Sequence, residues 1–139
     1  MAQDTGDPTI FTELENTGAA TQTGNLSGAG RSALGRRVQE LTASGAITIG
    51  SGVVLLNHAS VAVAATLAAP TPGDELFIID NSASGTAAHT VTTASGVTWD
   101  GTNNTATLNA PGEALHVVAI SATRWFIMEN ISSVGLSSA

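Results

Sequence analysis

The sequence contains no cysteine, no lysine and no tyrosine among its 139 residues. Without cysteine, disulfide frameworks, thiolate metal sites and cysteine nucleophiles are excluded. Only four residues are basic, all of them arginine, against eleven acidic residues, which gives a formal net charge of −7. Because contact with a phosphate backbone requires clustered cations, this balance argues against nucleic acid as a partner.

Long apolar runs are also missing. No stretch approaches the roughly 18 consecutive apolar residues of a membrane-spanning helix, so we expect no membrane partner. Residues 1–7, MAQDTGD, are polar and acidic, unlike a secretory signal peptide. We therefore expect the chain to be made in a cytoplasm.

Small side chains dominate what is present. Alanine, glycine, serine and threonine make up about half of the chain, and charged residues are 11%, against roughly 25% in ordinary domains. Small side chains bury little apolar area each, so the core is thin. A weakly charged surface is easily buried against copies of itself, which predicts a homo-oligomer.

Residues 1–37 differ from the rest of the chain and are interpreted as a flexible, extended N-terminal arm. Residues 17–30 have almost nothing to bury, so they are expected to order only on a partner. One apolar stretch, Ile10, Phe11 and Leu14, interrupts the polar sequence as a candidate anchor. The alternative is a disordered tail in which these residues do nothing.

The only basic cluster lies at the root of this arm. Arg31, Arg36 and Arg37 stand beside Glu40, just before the first strand-like segment. One interpretation is a contact with an acidic neighbour, and the other is a solvated run of charges.

From residue 38 onward the sequence predicts short strands rich in Val, Ile and Thr, separated by Gly, Pro, Asn, Asp or Ser clusters. Regular spacing of such segments favours an all-β fold, here a compact antiparallel β-sandwich or barrel of jelly-roll type over residues 38–139. No internal repeat is apparent. The predicted strands are Val38–Ala43, Ala46–Ile49, Val53–Asn57, Ala62–Leu67, Glu75–Asp80, His89–Thr93, Thr105–Leu108, Ala114–Ser121 and Arg124–Asn130.

The last two of these strands are apolar on both faces. We therefore expect both faces to be covered, by a second sheet or by another subunit.

Candidate catalytic and metal residues are scattered. The three histidines, His58, His89 and His116, lie in separate segments, so no pair has metal-ligand spacing. One exception is open, because His116 could meet its copies on a three-fold axis. No serine has the context of a nucleophile elbow, and the acids at 74, 75 and 80 fit turns and strand ends. We expect no catalytic residue, no metal and no cofactor, and hence not an enzyme.

A loop around Trp99 offers a second interpretation. An aromatic ring beside Asp100 and Asn103 is the kind of arrangement that binds glycans. The other interpretation is that Trp99 is a core residue. Trp125, in an alternating strand, is predicted to be core.

The last hundred residues resemble small virion proteins of tailed bacteriophages, above all capsid decoration (cement) proteins and related fibre domains. The resemblance is carried by an ordered set of segments and not by any catalytic motif. In order they are a leading Leu-Thr strand, an apolar strand ending in Ala-Pro, a Gly turn, a Gly-Glu-Ala strand and a Trp strand. These are residues 38–42, 64–70, 72–74, 110–115 and 122–127.

The resemblance implies a homotrimeric β-rich knob with an extended arm. It implies a structural virion protein that binds the major capsid protein on the outer surface of the phage head, at three-fold or quasi-three-fold positions, and stabilises the head. Ile10, Phe11, Leu14, Arg31, Arg36 and Arg37 are the candidate capsid contacts. The alternative function is a fibre or spike module that binds host surface glycan through Trp99, Asp100 and Asn103.

Overall fold

The structure, a computed structural model, describes residues 36–85 and 87–139. This part of the chain contains ten strands, and no helix in it is long and apolar enough to cross a membrane. The strands are β1 (Val38–Leu41), β2 (Gly45–Ile47), β3 (Gly52–Leu56), β4 (Ala64–Leu67), β5 (Glu75–Asp80), β6 (His89–Thr93), β7 (Thr105–Leu108), β8 (Ala114–Ser121), β9 (Arg124–Ile131) and β10 (Gly135–Ser137).

The strands form two five-stranded sheets. Sheet A has the order β1-β3-β5-β8-β9, and sheet B has the order β10-β7-β6-β4-β2. The all-β, two-sheet architecture is confirmed, and it is an open sandwich and not a closed barrel. Of the arm predicted for residues 1–37, only Arg36 and Arg37 lie among the described residues.

The prediction of an antiparallel, jelly-roll-like arrangement is wrong for the first six strands. In sheet A, β1 pairs with β3 and β3 with β5 in parallel. In sheet B, β2 pairs with β4 and β4 with β6 in parallel. The reason is that consecutive strands alternate between the sheets, so each strand supplies the crossover that two parallel neighbours need. Only the pairings that involve β7 to β10 are antiparallel.

The first six strands therefore form three successive turns of a coil, each with one strand in sheet A and one in sheet B. The sequence shows no repeat that corresponds to these turns. Val38 lies beside Val53, 15 residues later, whereas Gly52 lies beside Leu76, 24 residues later. Turns of unequal length place equivalent residues at irregular spacing, which hides the repeat from the sequence.

The core lies between the sheets and follows strand alternation. In β3 and β5 every second side chain is buried, and Val54, Leu56, Leu76 and Ile78 are completely enclosed. Leu115 and Val117 of β8 continue this inner face. Two tryptophans supply the largest buried side chains in a core otherwise made of small and medium residues, as the composition suggested.

The edge of β2 is capped by a side chain. Gln39 of β1 donates through Nε2 to the carbonyl oxygen of Ala46 (2.9 Å) and accepts through Oε1 from the amide of Thr48 (2.8 Å). These two bonds occupy a backbone acceptor and a backbone donor at this end of sheet B, which protects the edge from further pairing.

Candidate functional site

The outward face of sheet A is apolar over much of its width. Its side chains alternate with the buried ones of β3, β5 and β8, and they are partly buried. The members of this outer face are Val53, Leu55, Phe77, Ile79, His116 and Val118. The inner face of β8 is covered by the core, and coverage of the outer faces of β8 and β9 by another subunit stays a prediction.

Four side chains at the centre of this face form a cluster, which we call the Glu75 cluster. The ring of Phe77 on β5 stacks on His116 of β8, with ring centres 4.0 Å apart and planes 11° from parallel. The guanidinium carbon of Arg36 lies 4.7 Å from the centre of the Phe77 ring, within the range of a cation–π contact.

Glu75 connects the two ends of this cluster. Its Oε1 lies 2.7 Å from His116 Nε2, and its Oε2 accepts from Arg36 Nη2 at 3.4 Å. The hydrogen bond with His116 holds the pKa of the Glu75 carboxyl below its ordinary value, and the positive charge of Arg36 lowers this pKa to a smaller extent. The sequence named Arg36 and His116 separately, but it did not indicate that Glu75 joins them.

The Glu75 cluster accounts for two of the candidate residues. Arg36, expected to meet an acidic neighbour, meets an acid of its own chain, while half of its side chain stays exposed. His116, considered for a three-fold axis, uses Nε2 on Glu75. Among the described residues no group of three or more potential metal ligands is found.

The remaining candidate capsid contacts are placed less fully. The carbonyl of Arg37 accepts from Val53 N (2.8 Å), and its side chain is exposed. Ile10, Phe11, Leu14 and Arg31 lie outside the described residues.

Large apolar side chains are exposed on and beside β9. We call this group the β9 patch, and its members are Ile120 (54% exposed), Phe126 (46%), Met128 (57%) and Ile131 (43%). Large exposed apolar side chains that follow one edge strand are typical of surfaces that contact other molecules.

The glycan-binding interpretation of Trp99 is contradicted by its position. Trp99 is completely buried and packs against buried Trp125, with ring centres 6.4 Å apart, so no sugar can stack on it. Trp125 is core, as predicted. Neither indole N–H has a hydrogen-bond partner in the described part of the chain.

Asp100 is occupied by its own turn. Its Oδ1 accepts from the amides of Thr102 (2.9 Å) and Asn103 (2.7 Å), and its Oδ2 accepts from Asn103 Nδ2 (2.7 Å). These bonds, that of the Asn103 amide first, hold the pKa of Asp100 below its ordinary value. The Asp100 and Asn103 side chains therefore stabilise the turn.

A Ser-His-Asp group is present that the sequence analysis did not single out. His89 Nδ1 accepts from the amide of Val63 (3.0 Å), so the ring proton is on Nε2, which faces Ser82 Oγ at 3.0 Å and Asp80 Oδ1 at 3.7 Å. A general base would need a free lone pair facing the serine, whereas this Nε2 is a donor. The group is buried and joins β4, β5 and β6 as a structural network.

A groove lies at the carboxyl ends of β2, β4 and β6. It has a volume of about 330 Å³, and its lining is made of alanine, threonine, isoleucine and leucine side chains with no ionisable group. This lining offers neither an acid nor a base for chemistry.

Comparison of the chain with protein-family models and with curated proteins finds no match.

Proposed function

We propose that the chain is a structural, non-catalytic protein of a tailed-phage virion, a capsid decoration protein that binds the outer surface of the head and stabilises it. Its partners are the major capsid protein and further copies of itself. The observation that carries the proposal is the β9 patch, because grouped and exposed large apolar side chains favour a protein that acts through contact with other proteins.

The net charge also supports this assignment. A net charge of −7 disfavours contact with packaged DNA and suits the outer side of a head. A decoration protein is present in many copies on one lattice, so weak contacts add through multivalency. The ordered motifs of residues 38–127 resemble those of decoration proteins. This resemblance favours a decoration protein over other proteins that act by contact.

The alternative, a fibre or spike module that binds glycan, has less support. Its proposed platform depends on Trp99, which is enclosed in the core, and on Asp100, which is occupied by its turn.

Binding to phage heads that lack the protein tests the proposal. We expect Phe11→Asp to abolish co-sedimentation of the chain with heads, because a charge replaces the apolar anchor of the arm. Thr21→Asp is the matched control, since it adds the same charge to the polar part of the arm, and it retains binding. Equal binding by both variants would contradict the role given to residues 10–14, and no binding by the wild-type chain would contradict the function.

A further inference from the structure

The outer edge of β1, with which no strand of the described residues pairs, is the second surface that indicates a partner. β1 is an outermost strand of sheet A. The carbonyl oxygen of Arg37, just before β1, accepts from the amide of Val53 in β3, and that of Leu41 accepts from the amide of Asn57, just after β3. Because backbone direction alternates, the N–H and C=O groups of Val38 and Glu40 point to the opposite, open side. No strand of residues 36–85 or 87–139 pairs with that side.

Parts of two other sheet edges are occupied by contacts within the chain. Gln39 caps β2, as described above. At the start of β9 the Trp125 amide donates to Thr98 O (2.9 Å), and the Thr98 amide donates to Thr123 O (3.0 Å), so this segment covers the edge next to Arg124. β1 contains no proline or lysine of the kind that blocks edge pairing, and no side chain of residues 36–85 or 87–139 caps its outer edge.

The outward side chains of this edge are self-complementary. Val38, the most exposed large apolar residue of the described chain at 63%, stands between Arg36 two residues before it and Glu40 two residues after it. Val38 and Glu40 share the outer face because strand alternation has a period of two. Arg36 precedes β1 and lies on the same face, because its guanidinium lies over the ring of Phe77. An antiparallel pair of two β1 strands centred on Val38 sets Arg36 of each copy opposite Glu40 of the other.

Both charges are available for such a contact. The bond from Arg36 to Glu75 is 3.4 Å long, more than the usual 2.7–2.9 Å of a charged hydrogen bond, and about half of the Arg36 side chain is exposed. Glu40 accepts from Asn57 Nδ2 (2.6 Å) through one oxygen only and has no cation as a partner among the described residues.

We propose that two copies of this chain associate through antiparallel pairing of their β1 strands, with Val38 on the two-fold axis and an Arg36–Glu40 ion pair on each side. The pairing joins two copies of sheet A into one continuous sheet. A two-fold contact uses the same patch on both copies, which is what a self-complementary edge provides. It assigns Arg36 to self-association and differs from the three-fold symmetry that the family resemblance implies.

Sedimentation equilibrium of the full-length chain at low ionic strength tests the proposal. The wild-type chain should be a dimer, with a fraction that rises with concentration. Glu40→Arg and Arg36→Glu should each weaken the dimer about tenfold or more, because each places like charges opposite one another at both ends of the contact. An equimolar mixture of the two variants should restore the dimer, because opposite charges then meet again.

Glu129→Arg is the matched control, since it makes the same charge change on β9, at the other side of sheet A, and should leave the dimer unchanged. Circular dichroism of each variant confirms that it is folded. A trimeric or monomeric wild-type chain, a Glu40→Arg variant with wild-type association, an equal effect of Glu129→Arg, or a mixture that fails to restore the dimer would each overturn the proposal. Head binding is measured separately, so its outcome does not depend on this one.

Discussion

Glu75 shows how single residues acquire a role that their neighbours define. In the sequence it is one acid in a turn-and-strand segment, and in the structure it bridges His116 and Arg36 across the outer face of sheet A. Its carboxylate has a depressed pKa because both partners favour the charged form. The stability that this carboxylate contributes is therefore present above its ordinary pKa of 4.5 and is lost as the pH falls through the lowered value.

This linkage predicts a specific acid sensitivity. The wild-type chain should lose more stability than Glu75→Gln when the pH is lowered from about 6 to about 3, because the glutamine variant has no carboxylate to protonate. Urea denaturation at both pH values measures the difference. Asp100 also has a lowered pKa and titrates in both proteins, so its contribution cancels in the comparison. Equal losses in the two proteins would contradict the bridging role of Glu75.

The His89 group shows that the residue types of a catalytic site can serve a structural role. Its three residue types are those of a hydrolase triad, yet the amide of Val63 fixes the tautomer in which His89 donates to Ser82. Trp99 likewise has the neighbours of a sugar platform but lies in the core. Residue type and local sequence suggest both interpretations, and only burial and hydrogen-bond direction choose between them.

Strands are the scale at which the sequence was most informative. All nine predicted strands are present, with ends that agree within two residues, because β-branched runs and turn residues delimit strands locally. The tenth, Gly135–Ser137, is only three residues long, too short for its alternation to be recognised in the sequence. Ser132 and Ser133, which precede this strand, have positive φ values. Serine rarely adopts this conformation, so the sequence did not indicate the turn. Strand partners were not predictable, because they depend on which sheet each strand enters.

Gly52, the first residue of β3, lies very close to the backbone that leads into β1. Gly52 has φ +142°, and a Cβ there would run into the carbonyl oxygen of Arg37, which accepts the Val53 amide. Gly52→Ala should therefore destabilise the chain by about 2 kcal/mol through strain and a distorted β1–β3 pairing.

Gly45→Ala is its control in β2, since a Cβ at Gly45 meets no atom within 4 Å and its φ is not positive. It should change the free energy of unfolding by less than about 0.5 kcal/mol. Chemical denaturation compares the two variants, and similar effects would contradict the tight approach of Gly52 to the first strand.

At the scale of the whole molecule, the described residues combine a thin two-sheet core with surfaces suited for contact. The composition predicted association from small side chains and few charges. The structure adds where contacts are available, namely the β9 patch and the edge of β1. The sequence did not indicate these places, because exposure of Phe126 or Val38 depends on which strands lie at the edges.

The central claim is that the chain is an abundant component of the outer head surface. The most direct test of the proposed function is the copy number of the chain in purified phage virions, measured by quantitative mass spectrometry against the major capsid protein. We expect a number comparable to that of the major capsid protein, because a decoration protein covers the head lattice. A handful of copies per particle would indicate a fibre or spike component instead, and absence from the particle would contradict the account altogether.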